Sequence, residues 1–131
     1  SDIYHSRKLS IPFSGTEMRG SEVIYSENKD LNYFDYINFQ FFLHPEVHVW
    51  KSEGSNYFLL QLHNNEIWNF ETDENNGDLH TYNYLDPKDL QIKRAFRIVL
   101  RRSLSGKNLF VAWRFFLQSH SSRITREKII S

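Results

Sequence analysis

The chain has 131 residues, of which 40% are hydrophobic and 16% aromatic, enough for one domain with its own core. Its 16 basic and 16 acidic side chains cancel, which argues against a nucleic-acid partner, and the lack of cysteine excludes disulfides, Cys-based zinc sites and thiol nucleophiles. No apolar run approaches the roughly 20 residues that cross a bilayer, so we expect no membrane partner either.

The first residues already have the character of a strand. The segment "YHSRKLSI" alternates in side-chain type, and it follows Ser1 almost at once, with no initial methionine and no visible signal peptide. We therefore expect this chain to be a piece of a longer protein.

Alternation with a period of two continues along the chain. In "YINFQFFLH", Ile37, Phe39 and Phe41 fall on one face, while Asn38 and Gln40 fall on the other. Similar runs follow in chain order: "EVHVWKS", "NYFLLQL", "EIWNFE", "DLHTYNYL", "IKRAFRIVLRR" and "NLFVAWRFFL". The run that contains Phe96 is also compatible with an amphipathic helix, but its alternation, which is strict apart from Arg94, favours a strand.

Turn signals separate these runs at a regular spacing. They stand at Asn64–Asn65, in "DENNGD" at 73–78 and in "SGK" at 105–107. The runs recur every 8–12 residues or so, and we predict an all-β fold, an antiparallel β-sandwich of about eight to ten strands, over residues 1–117. The polar residues 118–131 are predicted to form a flexible tail.

The stretch "FFLHPEVHVW" contains two histidines four residues apart, His44 and His48. That spacing brings two ligands to one metal on a helix, but Pro45 disfavours helical geometry at His44. On strands the two side chains would lie roughly 13 Å apart. We predict that they do not bind one ion together, and that Pro45 ends a strand beyond which His48 and Trp50 share a face of the next.

Three residues are candidates for substrate binding. His5 and Arg7 share one strand face and are suited to contact an acidic sugar, and His5 is also a candidate metal ligand. The alternative is an inward polar pair held by a structural carboxylate. His44, at a strand end, is the third candidate, and its alternative is a histidine satisfied by a backbone carbonyl.

Two larger sets of side chains have both a functional and a structural interpretation. An aromatic set is either a sugar-stacking platform or, as we favour, mostly core: Trp50, Trp68, Phe70, Tyr82, Tyr84 and Trp113. An arginine set is either a stripe that binds carboxylate or sulfate or, as we favour, a solvated sheet face: Arg94, Arg97, Arg101, Arg102 and Arg114.

No motif of an enzyme active site is present. The sequence has no G-x-S-x-G, no Gly-rich phosphate loop and no H-E-x-x-H, and its acidic residues are scattered. We therefore assign no catalytic residue.

The order of five segments resembles one family. They are "HSRKLSI" at 5–11, "MRGSEVI" at 18–24, "FFLHPEVHV" at 41–49, "IWNFETDENNGDLHTYNYL" at 67–85 and "RIVLR" at 97–101. In this order and spacing they resemble the C-terminal β-sandwich of heparinase II/III-like polysaccharide lyases. The resemblance reaches to about Leu117, and it treats the segment around Ser21 as a turn.

This resemblance implies a domain of a bacterial enzyme, inactive alone, rather than a whole enzyme. Such lyases place an N-terminal α/α toroid before the sandwich and cleave acidic polysaccharides such as glycosaminoglycans by β-elimination. A tyrosine acts as base and acid, Asn or His groups neutralise the uronate carboxylate, and most of these residues lie on the toroid. No cofactor is expected beyond a possible structural metal, for which His5 is the candidate. A secreted parent would place the protein in the periplasm or cell envelope.

Two alternatives belong to other classes of function. One is a stand-alone carbohydrate-binding module, which should expose two or more coplanar aromatic side chains. The other is a structural or assembly module of a cell-surface protein.

Overall fold

The computed structural model describes residues 3–27, 36–52, 57–73, 77–104 and 106–119. In these ranges the chain forms nine strands and no helix. The strands are β1 (Ile3–Ser10), β2 (Glu17–Ser26), β3 (Tyr36–Phe42), β4 (His48–Lys51), β5 (Tyr57–Gln61), β6 (Ile67–Thr72), β7 (Gly77–Leu85), β8 (Ile92–Ser103) and β9 (Asn108–Ser119).

The strands form two antiparallel sheets that pack face to face. The large sheet has the order β1-β2-β9-β6-β5-β4, and the small sheet has the order β3-β8-β7. The predicted antiparallel β-sandwich is therefore confirmed, including the strand interpretation of the segment around Phe96. The described residues contain no helix of the length and apolarity that crossing a membrane requires.

Alternation explains which side chains enter the core. On β3, Phe39 is buried and Phe41 is half-buried, while Gln40 between them is exposed. Packing joins the two sheets, because the Phe41 ring lies 4.9 Å from Phe70 and 5.2 Å from Trp113. Most of the buried side chains form one cluster: Ile24, Phe39, Leu43, Phe58, Leu60, Phe70, Ile98, Leu100, Val111 and Trp113.

Two of the predicted turns are visible. Asn65 has a positive φ of 68° in the β5–β6 hairpin, a conformation that asparagine tolerates. Gly106 has a φ of 66° before β9. The centre of the third predicted turn, 74–76, lies outside the described residues.

The segment treated as a turn around Ser21 is instead part of β2, which pairs with β1 on one side and β9 on the other. Its inward positions include Gly20 and Glu22. A glycine and a carboxylate at core-facing positions conceal the apolar alternation that usually marks a buried strand.

At the other end of the chain, β9 continues to Ser119, beyond the predicted domain boundary at Leu117. The rest of the predicted tail, 120–131, lies outside the described residues.

Candidate functional site

Antiparallel pairing brings together four side chains of the large sheet, here called the Glu22 cluster: His5, Arg7, Glu22 and Trp113. Arg7 stands directly opposite Glu22 on the β1–β2 pair, and Trp113 stands opposite Gly20 on the β2–β9 pair. All four side chains therefore lie on the face of the large sheet that looks toward the small sheet.

The Glu22 carboxylate is completely buried and accepts hydrogen bonds from three side chains. Arg7 donates through Nε at 2.9 Å to both carboxylate oxygens. The indole Nε1 of Trp113 donates to Oε2 at 2.8 Å, and Nε2 of His5 lies 2.7 Å from Oε1. A buried carboxylate is tolerated in a core when its oxygens are satisfied in this way.

These donors set the charge state of Glu22. Burial raises the pKa of its carboxyl, but the hydrogen bonds from Trp113, Arg7 and His5 and the charge of Arg7 outweigh burial and lower the pKa below its usual value. Glu22 is therefore an anion at neutral pH and can only accept hydrogen bonds. It follows that the proton shared with His5 belongs to Nε2 of the imidazole.

Aromatic rings of the small sheet pack against two of the donors, His5 and Arg7. His5 meets Phe39 edge-on at 5.9 Å between ring centroids, and the Arg7 guanidinium lies 5.8 Å from the centre of the Phe41 ring. Trp113 lies so close to Gly20 that a methyl group at that position would overlap the indole. The rings and the bare backbone of Gly20 thus fix the orientation of the donors around Glu22.

The outer part of the cluster remains accessible although its centre is buried. The side chains of His5 and Arg7 are 46% and 45% exposed, against 0% for Glu22. Arg7 uses only Nε toward Glu22, and its terminal nitrogens have no hydrogen-bond partner among the residues described. The cluster therefore presents an oriented guanidinium and an imidazole edge, which together suit an anionic group.

Of the three candidate residues, the structure brings two together. His5 and Arg7 share Glu22, so the structural carboxylate of the alternative interpretation exists. His44 has other contacts: its Nδ1 accepts a hydrogen bond from the Glu46 backbone at 3.1 Å, and its ring packs on Tyr84. A contact of any of the three with substrate stays a prediction.

The segment around Pro45 behaves as expected. β3 ends at Phe42, and a turn closes with the Val47 amide donating to the His44 carbonyl at 3.0 Å. His48 and Trp50 then stack on one face of β4 at 6.2 Å. The described ranges contain no group of three or more His, Cys, Asp or Glu side chains placed to hold a metal ion, and His5 as a ligand also stays a prediction.

The arginine set does not form a single stripe. Arg102 is buried and its Nη2 donates to Asp73 at 2.7 Å, whereas Arg114 pairs with Glu71 on the outer face of the large sheet. Arg97 and Arg101 remain together on the outer face of the small sheet.

Reasoning from sequence missed Glu22 and Trp113 as members of the site. The available signal was the pair His5 and Arg7, since two hydrogen-bond donors on one inward face suit a carboxylate on the neighbouring strand. Glu22 is one of two acidic residues of the next strand, and the hairpin register places it opposite Arg7.

Comparison with known proteins agrees with this architecture. Residues 1–123 match the family model described as Heparinase II/III-like, C-terminal. No curated protein is significantly similar to the chain. Because the family model covers nearly the whole chain, this chain belongs to the heparinase II/III-like C-terminal domain family.

Proposed function

We propose that the chain is the C-terminal sandwich of a lyase that cleaves acidic polysaccharides by β-elimination. In this proposal it forms one wall of the substrate cleft and is inactive alone. Membership of a C-terminal domain family implies a separate N-terminal domain in the full-length protein, and we propose an α/α toroid in that place.

The observation that carries the proposal is the uncovered face of β1. The side chains of Ile3, His5, Arg7 and Leu9 all point to the side of the large sheet that the small sheet covers elsewhere. Yet Ile3 is 37% exposed and Leu9 is 56% exposed, with the half-exposed His5 and Arg7 between them. Apolar residues that flank an oriented guanidinium and an imidazole suit a surface shared by a neighbouring domain and an anionic ligand.

The chemistry assigned to the chain is recognition of charge, not proton transfer. β-Elimination of a uronic acid removes the C5 proton, and neutralising the adjacent carboxylate stabilises the anion that forms. Arg7 can bind that carboxylate or a neighbouring one through its terminal nitrogens, and Glu22 holds the guanidinium in place. The base that removes the proton belongs to the preceding domain in this proposal.

The exposure of the tryptophans favours this proposal over a stand-alone carbohydrate-binding module. Trp113 is buried, Trp68 is half-buried and donates to Glu66 at 3.3 Å, and Trp50 is exposed but stacks on His48. The three tryptophans do not form the coplanar, exposed set that such a module would use.

The test compares the isolated chain with the full-length parent protein. Each is incubated with heparin, heparan sulfate and alginate, and the ultraviolet absorbance of the unsaturated uronate product is followed. We expect turnover by the parent and none by the isolated chain, since a base and a carboxylate-neutralising group must be held together. Sustained turnover by the isolated chain that depends on one of its own tyrosines or histidines would overturn the proposal.

A variant pair tests the role of Arg7 in the parent protein. Arg7→Gln should lower kcat/KM by roughly 10-fold or more, as expected for one charged hydrogen bond lost. Lys8→Gln removes the same charge from the opposite face of β1 and serves as the matched control. Equal effects of the two variants would show that net charge, rather than the oriented guanidinium, matters.

A further inference from the structure

We propose that the outer face of the small sheet is a second binding site for acidic polysaccharide, separate from the Glu22 cluster. The site is a groove of about 390 Å³, and its recognition residues are Arg97, Arg101, His80, Asn38, Gln40 and Tyr36. We call it the small-sheet groove. Its preference for anions rests on these residues, while the choice of a sugar polymer as ligand rests on the proposed function.

Strand register arranges the groove in rows across the sheet. Arg97 on β8 stands opposite His80 on β7, and Arg101 stands opposite Asn38 on β3. Between these rows, Gln40 pairs with the apolar Val99. Asp78 stands on the other side of Val99, so two rows that each contain an arginine flank a shallow centre lined by an amide and a carboxylate. This arrangement can contact acid groups at its ends and hydroxyl groups between them.

Arg97 is the strongest sign of an absent ligand. Its Nε is buried and has no hydrogen-bond partner within the described ranges. The rest of the guanidinium lines the groove and has no partner in those ranges either, so an anion in the groove can pair with its terminal nitrogens. The side-chain amides of Asn38 and Gln40 likewise have no partner in those ranges and lie on the same face.

Arg101 is held apart from Arg97 by an aromatic stack. Its guanidinium lies 3.5 Å from the centre of the Tyr36 ring. Arg97 and Arg101 are about 13 Å apart along β8. Tyr36 stands opposite Ser103, beyond Arg101, so the stack holds the Arg101 side chain on the side away from Arg97. One small anion cannot reach both guanidinium groups, whereas a polymer with acid groups along its length can contact both.

Charge and ring exposure favour a sugar acid over single-stranded nucleic acid. Among the described residues, Asp78 is the single carboxylate that lines the groove, and it lies 3.8 Å from His80. Arg101 covers the Tyr36 ring, so this ring is not open to stack on a base, as single-strand binders require. The planar donors that remain suit carboxylate or sulfate groups.

The experiment measures binding of a heparin-derived oligosaccharide to the 131-residue chain by calorimetry. Arg97→Gln and Arg101→Gln should each weaken binding roughly 10-fold, the loss expected for one charged contact. Arg94→Gln removes the same charge from an exposed position of β8 outside the groove and should change affinity by less than about twofold. The same two groove substitutions made in the Arg7→Gln background, where the contact proposed at the Glu22 cluster is removed, should weaken binding by the same factor.

Amide chemical shifts give a second readout that does not depend on variants. We expect the oligosaccharide to perturb amides of β3, β7 and β8, with inorganic sulfate producing only weak shifts at Arg97. The proposal is wrong if binding is not saturable, if Arg94→Gln weakens it as much as the groove variants do, or if the shifts are confined to β1 and β2. It is also wrong if single-stranded DNA binds more tightly with the same dependence on the arginines. If the parent protein is an active lyase but the groove fails these tests, the proposed function stands and the groove proposal fails. If the groove binds the oligosaccharide but the parent protein has no lyase activity, the groove proposal stands and the proposed function fails.

Discussion

Replacing Glu22 with glutamine is the most direct test of how the structure holds His5 and Arg7. The change keeps the shape of the side chain but removes its charge and turns one acceptor oxygen into an NH₂ donor. That NH₂ group must face at least one of three existing donors, on His5, Arg7 or Trp113. The variant therefore combines a lost hydrogen bond with a donor–donor repulsion in a buried place.

The size of the effect follows from the exposure of each donor. A hydrogen bond to a charged group contributes about 1.5–3 kcal/mol, but His5 and Arg7 are half-exposed and can turn to water, so their loss is discounted. Trp113 is buried, so its indole N–H cannot replace the lost hydrogen bond with one to water. We expect Glu22→Gln to lower the free energy of unfolding by about 2–4 kcal/mol.

Denaturant unfolding followed by tryptophan fluorescence measures this loss. Glu71→Gln is the matched control, because Glu71 meets Arg114 at 3.3 Å on the solvent-facing side of the same sheet. We expect the control to cost less than about 1 kcal/mol. If Glu22→Gln costs no more than Glu71→Gln, the cluster does not hold the site together and our reasoning about Glu22 is wrong.

The loss should also depend on pH with a defined sign. The pKa of Glu22 is lowered in the folded chain, so its contribution is complete above the unfolded pKa of about 4.3 and is lost as pH falls toward the folded value. The difference in the free energy of unfolding between the unsubstituted chain and Glu22→Gln should therefore become smaller in acid. Glu17 and Asp86 also have lowered pKa values, because of hydrogen bonds from Arg19 and Lys93 respectively. Their contributions to the pH dependence are the same in both proteins and cancel when the two unfolding free energies are subtracted.

Three further substitutions test the packing beside Glu22 and two other parts of the fold. Gly20→Ala should lower stability by about 1–3 kcal/mol and alter the fluorescence of Trp113, because the added methyl overlaps the indole; an unchanged melting temperature would contradict this. Leu90→Asn should raise stability by about 0.5–1 kcal/mol in thermal unfolding, because Leu90 has a φ of 58° that asparagine tolerates; a loss would show that Leu90 contributes contacts. Arg102→Gln should cost about 2–3 kcal/mol in denaturant unfolding, since it breaks the buried hydrogen bond to Asp73, and a cost below about 1 kcal/mol would count against that bond.

Local patterns were sufficient to predict the class of fold and part of the site. Alternation around Phe39 identified a strand with one buried face, and Pro45 explained why the chain turns after His44 before His48 begins the next strand. The same reasoning placed His5 and Arg7 on one face. Each of these inferences depends on residues that are close in sequence, because the backbone geometry of a strand determines which of their side chains share a face.

The parts that were missed depend on contacts across the chain. Glu22 takes one hydrogen bond from Arg7, 15 positions away, and another from Trp113, 91 positions away. Periodicity within β2 shows only a carboxylate where an apolar residue is expected, and it does not show which donors will meet it. The order of strands in the large sheet was not predicted for the same reason, because pairing between strands distant in sequence leaves no local pattern.

The central place of β9 has a consequence for the order in which the chain folds during synthesis. Neighbours in sequence make the β1–β2 hairpin and the β4–β5–β6 meander, and both can pair as soon as they leave the ribosome. In the large sheet, however, β9 lies between β2 and β6, so these two halves join only when the last described strand arrives. Until then Trp113 cannot reach Glu22, and the carboxylate must remain hydrated while the open edges of β2 and β6 stay free to pair with other chains. We therefore expect the final insertion of β9 to be the slow step of folding and a nascent chain that stalls before Asn108 to be prone to aggregation.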